Sequence, residues 1–140
     1  MELEKFKGMY IQILDWKFFK EDKEAEEYRD AYSIDSEYHL IGSTITGDIL
    51  AIKENKLVQI DHEEPYPEND YKLAKNINKV KDLIEATIQI PEYENCKEIR
   101  TLKSIKKQIK ACKKIAPKNL KDDFESAMEE IDDEIYFLKD

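Results

Sequence analysis

Glycine, proline and cysteine are scarce in this chain, at three, four and two among 140 residues. So few chain breakers exclude a flexible or Pro-rich linker, and this length supports one buried core, so a single domain over residues 1–140 is expected. Cys96 and Cys112 have no CxxC spacing, which excludes a disulfide scaffold and a zinc knuckle. Histidine occurs only as His39 and His62, too few for an imidazole-rich metal centre, and no cofactor or metal is expected. No apolar run approaches the roughly 20 residues that span a bilayer. The start Met1-Glu-Leu-Glu-Lys lacks the basic and apolar stretches of a signal peptide. A cytoplasmic address without a membrane partner is therefore expected.

What the chain has in abundance is charge, at 39% of residues with a net of −9. That sign disfavours nucleic-acid phosphate as the main ligand and favours cationic partners. The charge is uneven: residues 1–70 carry 18 acids and 8 bases, a net of −10, whereas residues 71–140 net +1.

The stretch at residues 38–64 reads as three strands, 38–41, 48–52 and 56–62, rich in β-branched and apolar residues and bounded by Gly, Ser, Thr and Asn. A long link with Gly42 and Gly47 at its ends joins the first pair, and the tight Lys53-Glu54-Asn55 joins the second. Leu50 and Ile52 point to one face and Ile49 and Ala51 to the other, which predicts an interior strand covered on both sides. Residues 8–14 alternate well enough for a fourth strand at an edge. Asp15 can cap a helix over residues 16–31, and Asn69 or Asp70 one over 71–88, where Leu73, Ile77, Val80, Ile84 and Ile88 follow a helical period.

Beyond these, residues 97–121 hold ten bases and one acid and residues 122–140 nine acids and one base. One apolar stripe runs through Ile99, Leu102, Ile105, Ile109, Cys112 and Ala116. A second runs through Leu120, Phe124, Ala127, Ile131, Ile135 and Leu138, with a bend at residues 117–119. This predicts an αα-hairpin over about 95–140, oriented by opposite charge and held by its apolar faces. The expected fold class is α+β: an antiparallel β-meander of about four strands packed with helices, its core within residues 9–88, plus the C-terminal hairpin.

The ordered set Tyr-x-Leu-Ile-Gly-Ser-Thr-x-x-Gly-Asp-x-x-Ala-Ile at residues 38–52, then Val58-x-Ile60-Asp61-His62-Glu63, then Leu73-Ala74 and Leu83-Ile84, resembles the SUKH superfamily. That group contains bacterial immunity proteins that neutralise polymorphic secreted toxins, and fungal regulators of cell-wall synthesis. The resemblance covers residues 11–88 and implies a non-catalytic protein that binds and occludes a cognate toxin domain in the cytoplasm of the producing cell. The second reading it allows is a non-catalytic regulatory protein-interaction module of the same superfamily. The chain departs from the family pattern at its start, which lacks the usual helical Leu-Pro-x-x-Tyr/Phe motif, and in its last 45 or so residues.

Candidate partner-binding residues are Asp48, Asp61, His62 and Glu63, resting partly on that resemblance. Glu64 and Glu68 are added for charge and position, with Tyr38 and Tyr66 as aromatic anchors. A carboxylate beside His62 at a strand end also has the chemistry of a base or a metal ligand, so a metal-assisted hydrolase centred on Asp61 and His62 is a third reading. Against other chemistry, residues 42–47 lack phosphate-loop spacing and Ser43 lacks a nucleophile signature. Trp16, Phe18, Phe19, Tyr28 and Tyr32 read as core aromatics rather than a binding surface.

Overall fold

The structure, a computed structural model, describes residues 3–139, with the side chain of Glu68 outside the described set. In chain order it holds β1 (Tyr10–Ile11), β2 (Trp16–Phe18), α1 (Asp22–Tyr32), β3 (His39–Thr44), β4 (Ile49–Lys53), β5 (Lys56–Ile60), β6 (Tyr71–Ala74), α2 (Ile77–Thr87), α3 (Ile99–Ile115) and α4 (Lys121–Leu138). The strands form one antiparallel sheet in the order β1-β2-β3-β4-β5-β6, an uninterrupted meander. The α+β class and the β3–β5 centre agree with the sequence pattern; the sheet has six strands rather than about four.

Both additional strands occupy sequence expected to open a helix. Asp15 does not cap a helix: it takes φ 55° in the turn that returns the chain from β1 to β2. Trp16, Lys17 and Phe18 then alternate buried, exposed and buried, which is the strand period. The helix begins only at Asp22, where the Glu24 carboxylate accepts from the backbone of Lys20 and Glu21. Likewise residues 71–74 pair with β5, and α2 starts after Asn76, whose side chain accepts from the Asn78 N–H at 2.9 Å. The expected edge strand at residues 8–14 is present at the edge but only two residues long.

The sheet separates two cores. On one face Ile11, Trp16, Phe18, Leu50, Leu57 and Leu73 meet the apolar sides of α2, α3 and α4, including Val80, Ile84, Leu102, Ile109, Phe124 and Ile131. On the other, Leu40, Ile49, Ala51, Val58 and Ile60 are covered by Phe19, Ile34 and the half-buried Ala25, Tyr28 and Tyr32 of α1. β4 is thus apolar on both sides because both sides are packed. Each fully buried large side chain, Phe124 for one, contributes roughly 1.5–3 kcal/mol of transfer free energy.

The αα-hairpin forms as its charge pattern suggests: Lys97 meets Glu134 at 2.9 Å, Lys106 meets Asp132 at 2.7 Å, and Lys113 meets Glu125. These pairs are exposed, so the buried stripes from Leu102 to Ala116 and from Leu120 to Ile135 hold the two helices together.

Turn chemistry fixes the meander. Glu54 and Asn55 have φ of 51° and 64°, so the β4–β5 link is a two-residue turn of the kind that matches strand twist. Gly47 has φ 97° in the β3–β4 turn. Gly42, by contrast, is not a turn residue: it lies within β3, where an added Cβ would stand 2.4 Å from the Lys17 carbonyl oxygen of β2. Among the described residues no buried side-chain polar atom lacks a partner, and no helix is long and apolar enough to cross a membrane.

Candidate functional site at the acidic end of the sheet

A meander places alternate connections at the same end, so the β1–β2 turn, the β3–β4 turn and the β5–β6 loop gather at one end of the sheet. The first two touch directly: the Ile45 N–H donates to the Asp15 carbonyl at 3.0 Å. Asp48 joins the second to the third. Its carboxylate accepts from Gln59 Nε2 at 2.7 Å, from the His62 backbone N–H at 3.2 Å and from His62 Nδ1 at 2.6 Å. The Asp48 N–H donates to Thr44 Oγ1 at 3.1 Å, which holds the turn that aims the carboxylate.

Burial pushes the Asp48 carboxyl up, but the hydrogen bonds from the His62 ring, Gln59 and the His62 N–H outweigh it and leave the group below its ordinary 3.8. His62 moves the other way. The bond to Asp48 raises it above 6.5 against partial desolvation, and the charges of Asp48, Glu63 and Asp61 add to the rise.

The loop beyond is built on Asp61, whose Oδ1 accepts from the N–H groups of Glu63 at 2.9 Å and Glu64 at 3.4 Å. Asn69 Nδ2 donates to the Glu64 carbonyl at 3.1 Å and closes the loop. Glu63 and Glu64 are exposed, and Tyr66 is 59% exposed. The backbone of Glu68 lies in a short 3₁₀ turn, Pro67–Asn69. Asp48, Asp61, His62 and Glu63 are therefore brought together. Tyr38 is not among them, and as an exposed aromatic anchor it is corrected: only 4% of it is accessible. Its ring packs on the α1 side of the sheet beneath Lys53 Nζ, and its hydroxyl donates to Asp70, pinning the end of the loop.

Chemically, Asp48 can fix the imidazole tautomer and leave His62 Nε2 facing outward, with Glu63 Oε1 at 4.0 Å. Asp48, Asp61 and His62 also present ligand atoms within 4.8 Å of one another, the spacing a single cation would need to close. In the present arrangement the Asp48 carboxylate is held by three hydrogen bonds and Asp61 Oδ1 by two, all serving the turns.

The larger feature at this end escaped the sequence reading. A cleft of about 580 Å³ opens between the β1–β2 turn, residues 92–94 and α4, lined by the carboxylates of Asp15, Glu92, Glu94, Asp123, Glu130 and Glu134 and by no lysine or arginine. Tyr10, Tyr93 and Ile45 form its apolar walls, and Ile45 is 72% exposed at the lip. Of the six acids Glu134 is paired, with Lys97.

The field these acids create is visible in their neighbours. The Tyr10 hydroxyl is pushed up to about 12, first by its hydrogen bond to Asp15. Tyr93 is raised by burial and by the charges of Glu130, Asp15 and Glu94, and Asp123 by burial and by Asp122 and Asp15. These residues lie far apart in the chain. The acidic run after residue 121 was the one available signal, and it pointed to pairing with α3. Comparison of the chain with family models, curated proteins and solved structures finds no match.

Proposed function

We propose that this chain is an immunity-type protein, which binds a basic toxin domain in the cytoplasm of the producing cell and inhibits it by occlusion. The observation that carries this reading is the acid-only cleft and its continuity, across the β3–β4 turn, with the Asp48–His62–Glu64 loop. Together they make one end of the sheet a negative surface with apolar side chains at its lip: Ile45, Tyr10 and Tyr66.

Such a surface suits a cationic active site. Carboxylates steer a basic partner into contact, and their desolvation against its lysines and arginines fixes register. Exposed aromatics supply the large, rigid anchors that dominate binding energy in protein interfaces. The resemblance of residues 11–88 to the SUKH superfamily points to the same activity, and occlusion needs no chemistry from the Asp48–His62 pair.

The test is growth rescue. Each toxin-like reading frame beside the gene is expressed alone and together with this chain. Restored growth with one of them, and a stable complex on purification, is the expected outcome. Failure of every neighbouring candidate to bind overturns the proposal.

A further inference from the structure

At the β6 edge, well separated in the fold from the acidic cleft, lies a second cleft of about 740 Å³ between β6, the start of α2 and the end of α3. Its charge is opposite. Lys72, Lys75, Lys79, Lys114 and Lys118 line it against a single acid, Asp82. Among the described residues none of these five lysines is in an ion pair. The lysines of α3 that serve the hairpin are others: Lys97, Lys106 and Lys113. The floor of the cleft is apolar, formed by Leu73, Ala74 and Pro117, with Ile115 left 51% exposed beside Lys114.

Lysine on an edge strand discourages pairing with other sheets, and that accounts for Lys72. It does not account for Lys79, Lys114 and Lys118, which stand on other elements around a shared apolar strip. Nor is the edge open to strand addition throughout, because Asn119 Nδ2 already donates to the Lys72 carbonyl at 2.7 Å. An occupant must therefore dock through its side chains.

We propose that this cleft binds a short acidic segment of a partner protein, one that seats an apolar side chain on Ile115 and Pro117 while its carboxylates meet the lysines. Five lysines gathered around a single acid repel one another, and an acidic segment relieves that repulsion as it covers the apolar floor. A polynucleotide fits less well. The cleft lining includes no arginine and no aromatic ring for a base to stack on, and the chain carries a net −9 that repels a phosphate polymer. This surface is independent of the toxin-binding reading, since it shares no lining residue with the acidic cleft and selects the opposite charge.

The test uses the full chain and a fluorescently labelled amphipathic peptide of Leu and Glu, with Leu at helical i, i+3, i+4 spacing, followed by anisotropy at low salt. Saturable binding is expected, weakened about tenfold or more by Lys75→Glu with Lys114→Glu, and separately by Lys79→Glu with Lys118→Glu. Ile115→Ser should weaken it about threefold, and a peptide with Gln in place of Glu should fail to bind. All five lysines are exposed, so thermal midpoints of the variants should match the parent. Absence of saturable binding overturns the proposal, as does binding that ignores both lysine pairs, or a single-stranded oligonucleotide of equal charge that competes more strongly than the peptide.

Discussion

Replacing Asp48 by alanine removes the acceptor that ties the β3–β4 turn to the end of β5. Three hydrogen bonds are lost, at 2.7, 3.2 and 2.6 Å, the last from a ring whose protonated form is favoured there. Gln59 and His62 are half-buried and regain water in the variant, which places the cost at the lower end for charge-assisted bonds, about 2 kcal/mol. For a domain of this size that corresponds to a fall of about 8 °C in thermal midpoint.

The loss has a pH signature. Asp48 is depressed below 3.8, so its contribution is present above that value and disappears as pH falls through the lower folded value. His62 is raised above 6.5, so its contribution is full below 6.5 and fades as pH rises through the higher folded value. The gap between parent and Asp48→Ala should therefore be widest between pH 3.8 and 6.5 and narrower at about pH 9. Urea melts followed by circular dichroism at about pH 5.5 and 9 measure it. A variant within about 0.5 kcal/mol of the parent at the lower pH, or a gap that is equal or larger at the higher pH, would refute the reasoning.

Other substitutions test the frame that presents the site. Gly42→Ala should cost about 3 kcal/mol, since its Cβ would meet the β2 backbone at 2.4 Å. Gly47→Ala, strained by φ 97° but with the His62 ring at an ordinary 3.7 Å, should cost about 1–2 kcal/mol, and denaturant melts showing the reverse order would contradict this. Changing Glu54→Asn together with Asn55→Gly should stabilise the protein by about 1 kcal/mol, because both positions are left-handed; a lower urea midpoint would count against the turn. Phe124→Ala should cost about 3–5 kcal/mol by calorimetry, and a loss under about 1 kcal/mol would mean that α4 is not packed into the main core.

The parts of the fold that were legible in the sequence carry their own local reasons. The β3–β5 meander has alternation and turn residues, and α3 and α4 have long apolar stripes with complementary charge. β2 and β6 were not legible, because strands of three and four residues show too little periodicity to outweigh the helix that follows each. Leu73 falls in helical phase with Ile77, Val80 and Ile84 by coincidence, while its neighbours Tyr71, Lys72 and Ala74 pair with Gln59, Val58 and Leu57 of β5. At the site, the Gly47-Asp48 turn and Asp61-His62-Glu63 were visible as motifs, and the meander brings them together. Tyr38 was misplaced because a strand-end aromatic reads the same whether its ring points to solvent or to α1. The acidic cleft was not legible as a site, since its carboxylates come from the β1–β2 turn, the α2–α3 connection and α4, and the acidic run of α4 also reads as the counterpart of the basic α3.

The central claim, that the acidic end of the sheet covers a basic partner, is tested most directly by calorimetric titration of the toxin domain with two forms of this protein. One is the parent. The other carries Glu92→Lys, Glu94→Lys and Glu130→Lys, three exposed acids of the cleft. The account predicts tight binding by the parent, weakened by added salt, and a loss of at least about a hundredfold in the reversed form at an unchanged thermal midpoint. Equal affinity of the two forms would contradict it.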